Sequence, residues 1–402
     1  MDSHEVAGIY RTSIRKVENI QLDFKRFLYP IINWNNRLIG IKGPKGVGKT
    51  TLILQHIKET FANPTEALYV SMDNLWFATH TIQDLVEYHF THGGTHLFLD
   101  EIHRFDAWQT LLKNLYDDFP DLHIVYTGSS MLELSSAGGD LSRRLREYTL
   151  PGLSFREYLA FEGLIQVDSI TLERLLQDHS AIAPAITGSV KVLPAFERYL
   201  GHGYFPFYKE DLEGFSQRLQ EVVSQIIYRD MPATEEMEYG TLQKAERLLM
   251  ILSAQVPYTP NMSQLYNLLQ TNREQGLKIL SALGRAGLLR LLHKPLKSLK
   301  QLVSPDKIFL DNPNLMNVLA PRTDIGNIRE TFFLNQLVSS GNRVELPEIG
   351  DFLVNGECLF EVGGARKSFN QIKDIPDSYL AVADTETGFH KRIPLWMFGL
   401  LY

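Results

Sequence analysis

The amino-acid sequence predicts the α/β class, with a parallel sheet covered by helices on both faces at the N-terminal end and helical and mixed segments behind it. Three observations predict it. From about Arg37 to Leu153 short apolar runs alternate with helix-like segments, the pattern of parallel strands joined by crossover helices. The stretch RLIGIKGPKGVGKTT, Arg37 to Thr51, sets one such run directly before a GxxxxGK[ST] loop and a helix-forming segment directly after it. About fifty residues further on, the run HLFLDE ends in two adjacent carboxylates, Asp100 and Glu101.

The expected strands are RLIGIKG, EALYVSM, THLFLDE, LHIVYTG and REYTLPGL. Ligands of such sheets bind at the carboxyl ends of the strands, where the polar residues of this chain collect. The loop after the first strand is a phosphate cradle. Gly43, Gly46 and Gly48 give the backbone conformations that a side chain forbids, so that amide N–H groups can converge on an anion. Lys49 offers a point charge to the outer phosphates, Thr50 a hydroxyl to Mg²⁺, and the following helix its positive end. Gly43, Pro44, Lys45, Gly46, Val47, Gly48, Lys49, Thr50 and Thr51 are therefore the expected nucleotide-binding residues.

The HLFLDE run is a Walker B pattern. Asp100 is expected to hold Mg²⁺ together with Thr50, mostly through its water shell, and Glu101 to polarise the water that attacks the γ-phosphate. The EALYVSM strand is expected to lie between the loop strand and the acid strand. With the glutamate directly after the aspartate, this suits a hydrolysing ATPase better than a nucleotide kinase or GTPase, and no guanine-reading NKxD occurs.

The motifs GPKGVGKTT, HLFLDEIHRF, YTGSS and PGLSFREYL together resemble a family of predicted prokaryotic AAA+ ATPases related to the archaeal ATPase-like clade. The resemblance covers most of the chain. With a three-layer P-loop AAA+ domain and a helical lid expected ahead of them, it implies a winged helix-turn-helix and a C-terminal domain similar to the restriction-endonuclease fold. It also implies Walker A, Walker B and sensor 1 roles for Lys49, Thr50, Asp100, Glu101 and Ser129. Thr127 and Ser129 are the hydroxyls at the sensor position, a helix cap at Ser129 or Ser130 being the alternative. Arg143, Arg144 and Arg146 are expected near the same sheet edge. One of them, Arg143 and Arg144 foremost, is a candidate arginine finger, in cis or from a neighbouring subunit, and surface charge is the alternative.

Four blocks are expected: a nucleotide-binding domain over 1–155, a lid over 156–238, a winged helix over 239–303 and an endonuclease-like domain over 304–402. Helical periodicity in SFREYLAFEGL, TLERLLQDH and SQRLQEVVSQIIYRD supports the lid. TLQKAERLLMILSAQ, NMSQLYNLL, TNREQGLKILSALGRAG and LLRLLHK read as three helices and a strand, with Thr271 and Glu274 as a capping box. In the last block Asp351 and Glu361 take the acid positions of an endonuclease core, but Gly363 stands where a lysine is wanted, with Arg366 and Lys367 the nearest cations. The expectation is a degenerate scaffold.

From Arg273 to Lys300 the basic residues Arg273, Lys278, Arg285, Arg290, Lys294, Lys297 and Lys300 face one glutamate. Such a stripe suits sequence-nonspecific DNA contact, and a soluble docking surface is the bland alternative. The net charge of −7 excludes a surface basic all over. The lone cysteine, Cys358, excludes an internal disulfide framework and cysteine-held zinc. Twelve histidines, His103 and His202 among them, lack metal-ligand spacing and read as surface or capped core groups. No apolar run is long enough to cross a bilayer and the N-terminus has no leader pattern, so a cytoplasmic protein without membrane contact is expected. The functional expectation is Mg²⁺-dependent ATP hydrolysis, with ATP and ADP as ligands, coupled to movement of the C-terminal segments. A slow nucleotide-gated switch and an ATP-regulated DNA nuclease are the rivals. A homo-oligomeric ring and a monomer are both compatible with the sequence.

Overall fold

The computed structural model describes residues 3–129, 141, 143–234, 237–255, 259, 261–295, 304–320 and 322–402. The chain divides into two compact units, Met1–Pro151 with Arg229–Glu236, and Gly152–Tyr228 with Met237–Tyr402. The first of the expected blocks ends close to the boundary at Pro151. The other three lie in the second unit, apart from the short segment at 229–236.

Unit one is built on five strands, β1 (Leu38–Gly43), β2 (Ala67–Ser71), β3 (His96–Asp100), β4 (His123–Ser129) and β5 (Arg146–Thr149). They lie in the order β2-β3-β4-β1-β5, and every ladder is parallel. Strands β1, β3 and β4 are buried almost throughout, as a sheet covered on both faces requires. Helices α1 (Ser3–Asn19), α2 (Lys49–Thr60), α3 (Ile82–Thr91) and α4 (Trp108–Asp118) supply the cover. In α4 the buried residues Trp108, Leu111, Leu112 and Leu115 fall three and four apart, one apolar stripe per helix face.

One expectation is corrected. The strand between the loop strand and the acid strand is β4, which pairs Leu38 with Ile124 on one side and Leu97 with the same Ile124 on the other. EALYVSM forms β2 at the sheet edge, beyond β3. Parallel strands are joined by crossovers, so order along the chain does not set order across the sheet.

Unit two begins with helices α5 (Phe155–Phe161), α6 (Leu172–Thr187), α7 (Val192–Arg198) and α8 (Phe215–Gln225). Ser154 and Glu157 close a reciprocal cap at the start of α5, at 3.1 and 3.2 Å. Then come α9 (Tyr239–Ser253), α10 (Met262–Leu268), α11 (Arg273–Arg285) and an antiparallel ladder of β6 (Leu289–Leu292) with β7 (Lys307–Leu310). This ladder runs across the expected boundary at 303. The N-cap of α11 is Asn272, whose side chain accepts from Gln275 N at 2.9 Å. The expected Thr271 donates instead to the Gln275 side chain at 2.5 Å. After α12 (Pro313–Leu319) and α13 (Ile325–Ser339), a mixed sheet forms in the order β12-β11-β10-β9-β8. Its strands are β8 (Val344–Glu345), β9 (Phe352–Val354), β10 (Cys358–Gly363), β11 (Ser378–Val382) and β12 (Arg392–Pro394). Among the described residues, no helix is long and apolar enough to cross a membrane.

Several histidines of unit one are packed as core aromatics. His56 stacks on Trp34 with centroids 3.7 Å apart, His96 stacks on His123 at 4.6 Å, and His89 donates from Nε2 to the His96 carbonyl at 3.0 Å and accepts at Nδ1 from the Tyr10 hydroxyl at 2.7 Å. Burial pushes His56, His89 and His96 each down to about 4 from an ordinary 6.5. Their folded values lie below the unfolded one, so the neutral folded form is fully favoured above pH 6.5 and loses that advantage as pH falls toward 4. Thermal melting should therefore decline between pH 6.5 and 4.5, and a His56→Gln variant should show a shallower decline over that window.

Candidate active site

The cup after β1 is shaped by its glycines. Gly48 sits at φ 96° and Gly46 at φ 84°, left-handed backbone in which a side chain is strained. Gly43 answers a different need, since a Cβ there would lie 2.1 Å from the Leu150 carbonyl oxygen. Helix α2 opens at Lys49 with Gly48 as a cap lacking a side chain, which leaves the first-turn N–H groups facing the loop. The Lys49 ammonium is buried and donates to the carbonyls of Gly43 at 2.8 Å and Pro44 at 3.0 Å. Burial lowers its pKa, and the charges of Glu101, Asp100 and Asp230 oppose that effect. Val47 is fully buried, and Thr51 faces solvent. The Val47 carbonyl accepts from Arg26, a buried guanidinium that also donates to Pro151 O at 2.8 Å.

Across from the cup stands Asp100, 4% exposed at the end of β3. Its Oδ2 accepts from Thr50 Oγ1 at 2.9 Å and from the Tyr69 phenol at 2.7 Å, and its Oδ1 accepts from Thr127 Oγ1. Burial first, and then the Asp100 charge, raise the Tyr69 pKa, so the phenol keeps its proton. A hydroxyl and a carboxylate oxygen at this separation are hard oxygen donors of the kind Mg²⁺ accepts while keeping waters and phosphate oxygens in its shell. Among the described residues no three histidine, cysteine or acidic side chains cluster as a metal site.

Glu101 follows in left-handed backbone, φ 58°. Its N–H donates to Thr127 Oγ1 at 3.1 Å, so Thr127 touches both acids of the strand. Ser129, the expected sensor, ends β4, and its N–H donates to His103 Nδ1 at 3.4 Å. His103 is no surface group but 1% exposed, with Nε2 3.3 Å from Glu101 Oε2 and 3.7 Å from Asp230 Oδ1. Asp230 pairs with Arg104 at 2.8 Å and with Lys45 of the cup at 3.6 Å. Burial opposes its charge, but nearby His103, Lys45 and Arg104 outweigh it and hold the carboxyl below the usual range. The expected finger Arg144 pairs with Asp117 at the carboxyl end of α4 and lies over the Tyr116 ring. Arg143 and Arg146 are exposed.

In unit two, Asp351 and Glu361 come together with Lys367. The Lys367 ammonium lies 3.5 Å from Glu361 Oε2 and 4.0 Å from Asp351 Oδ2. Asp351 Oδ2 also accepts from Val362 N at 2.8 Å. The alkyl chain of Lys367 fills the space beside Gly363, 2.8 Å from where a Cβ would sit. Of the basic stripe, Arg273, Lys278 and Lys294 are exposed, while Arg285 donates to Ser281 at 2.7 Å. Arg290 turns onto buried Asp311 at 2.6 Å and leaves the stripe. Lys297 and Lys300 lie outside the described residues, as does Ser130.

Residues 35–159 match a family model described as an AAA domain. That part of the chain, which holds β1 to β5 and the loop after β1, is thus similar to an AAA domain. One uncharacterized protein of Methanocaldococcus jannaschii is 32% identical over 252 residues, covering 57% of this chain and 53% of its own. Another from the same organism is 24% identical over 223 residues, covering 54% and 46%. The chain thus spans about half the length of the curated relatives it matches. A solved structure of AMPPCP-bound DnaA from Aquifex aeolicus is similar at TM-score 0.25 and 16% identity, covering 70% of this chain and 88% of that one.

Because the obstacle at Gly43 is a backbone carbonyl, Gly43→Ala should open the cup. Its affinity for ATP, read by titration calorimetry, should fall by about tenfold or more, equivalent to ~1.4 kcal/mol.

Proposed function

We propose that this chain binds ATP with Mg²⁺ and hydrolyses it. The observation that carries the reading is the pairing of Thr50 and Asp100 at 2.9 Å beside Glu101, at the open end of a cup with two left-handed glycines. In this reading the amides from Gly43 to Thr51 hold the β- and γ-phosphates and Lys49 turns from its own loop carbonyls to the outer phosphate oxygens. Thr50 and Asp100 hold Mg²⁺, which when bound offsets charge on the phosphate oxygens. Glu101 orients the attacking water and takes its proton, and Thr127 keeps the two acids aligned. Arg143 or Arg144 serves a neighbouring subunit if the chain assembles.

The cycle would drive unit two, where α9 to α11 with the β6/β7 ladder read as a winged helix and the C-terminal sheet as an endonuclease-like scaffold. The exposed bases Arg273, Lys278 and Lys294 support DNA contact there, with Arg290 removed from the count. Phosphate release with ATP and Mg²⁺ tests the core of the proposal. Glu101→Gln should reduce turnover by about a hundredfold or more while keeping ATP binding, since it removes the base and leaves the cup intact. Wild-type turnover in that variant would remove the role of Glu101.

A second reading, an ATP-regulated nuclease, is favoured by one observation: Lys367 supplies the cation that Gly363 lacks. It expects Mn²⁺- or Mg²⁺-dependent nicking of plasmid DNA, reduced about tenfold or more by Asp351→Ala and by Lys367→Ala. Absence of metal-dependent nicking ends it and leaves the scaffold reading.

A further inference from the structure

Unit one takes one short segment from the far part of the chain, Arg229–Glu236. That segment begins at the end of a π-helical turn, Ile226–Asp230, and continues into a short helix, Met231–Thr234, whose Met231 is fully buried. π-Turns are uncommon and recur at functional sites. Here the turn delivers a carboxylate.

We propose that Asp230 is a positioning residue for ATP hydrolysis, acting through His103 on Glu101, so that turnover requires the 229–234 segment to be seated. This inference rests on the ATPase reading. His103 Nδ1 accepts the Ser129 N–H at 3.4 Å, which assigns the ring proton to Nε2. That single N–H faces two carboxylates, Glu101 at 3.3 Å and Asp230 at 3.7 Å. Asp230 is itself fixed by Arg104 at 2.8 Å and by Lys45 at 3.6 Å. The acid therefore sets how far the imidazole leans on Glu101 and where two cations of the site point. Without it, the N–H goes wholly to Glu101 and ties down the group that must meet water. Lys45 is then released toward the phosphates, so binding of ATP is not weakened.

The experiment is steady-state turnover and ATP affinity on the full chain for wild type, Asp230→Asn, Asp230→Glu, His103→Ala and the double variant D230N/H103A, each checked by thermal melting. D230N should lower kcat about tenfold or more while ATP affinity stays within about threefold. D230E should regain part of the rate. The double variant should be no slower than its slower parent, as residues acting in one line require. Wild-type kcat in D230N overturns the inference, and so does a loss of ATP affinity in step with kcat, which would make Asp230 structural. A wild-type chain that turns over no ATP removes the ATPase reading itself. Turnover that D230N leaves unchanged removes this inference alone.

Discussion

A buried carboxylate must be given donors, and in unit one that requirement falls on Asp100. Its two oxygens take hydroxyls from Thr50 at the head of α2, Tyr69 on β2 and Thr127 on β4. Three elements besides β3 are thereby tied to one point. Removing any of them leaves an ionised group short of partners in a place with little water, which is costly. The geometry of the loop after β1 follows, since Thr50 meets Asp100 from the first turn of α2, which starts directly after Gly48.

Tyr69 shows how far this tie extends. Its phenol serves Asp100, its N–H donates to Ser13 of α1 at 3.0 Å, and Lys16 of the same helix lies over its ring at 4.7 Å. Helix α1 thus steadies the strand that steadies the acid. Arg26 does the same on the other side, holding the outer carbonyl of the cup to Pro151.

The parts of the site that were legible in the sequence are those whose groups are contiguous. GPKGVGKT and HLFLDE each place their chemistry within one turn or one strand end, and the structure brings Thr50 and Asp100 together as the motifs imply. His103, Arg104 and Asp230 were illegible because their meaning lies in tertiary proximity. Asp230 stands at the end of a helical-looking run, SQRLQEVVSQIIYRD, whose periodicity gave no hint that its last turn is a π-turn that sets the carboxylate beside His103. His103 and Arg104 had one available signal, their place two and three residues past Glu101. Lateral strand order was hidden for the reason that crossovers decide it. In unit two a charge count could not separate Arg290, spent on Asp311, from Lys294 in solvent, nor see that Lys367 folds back over Gly363.

Glu101 holds a left-handed backbone, φ 58° and ψ 45°, without being glycine. For an ordinary L-residue that conformation costs on the order of 1 kcal/mol. The bend follows directly on β3 and leaves the Glu101 carboxylate 3.3 Å from His103 Nε2. At this one residue durability and chemistry therefore pull in opposite directions. A glycine here would release that backbone cost and would bring no carboxylate to this end of the strand.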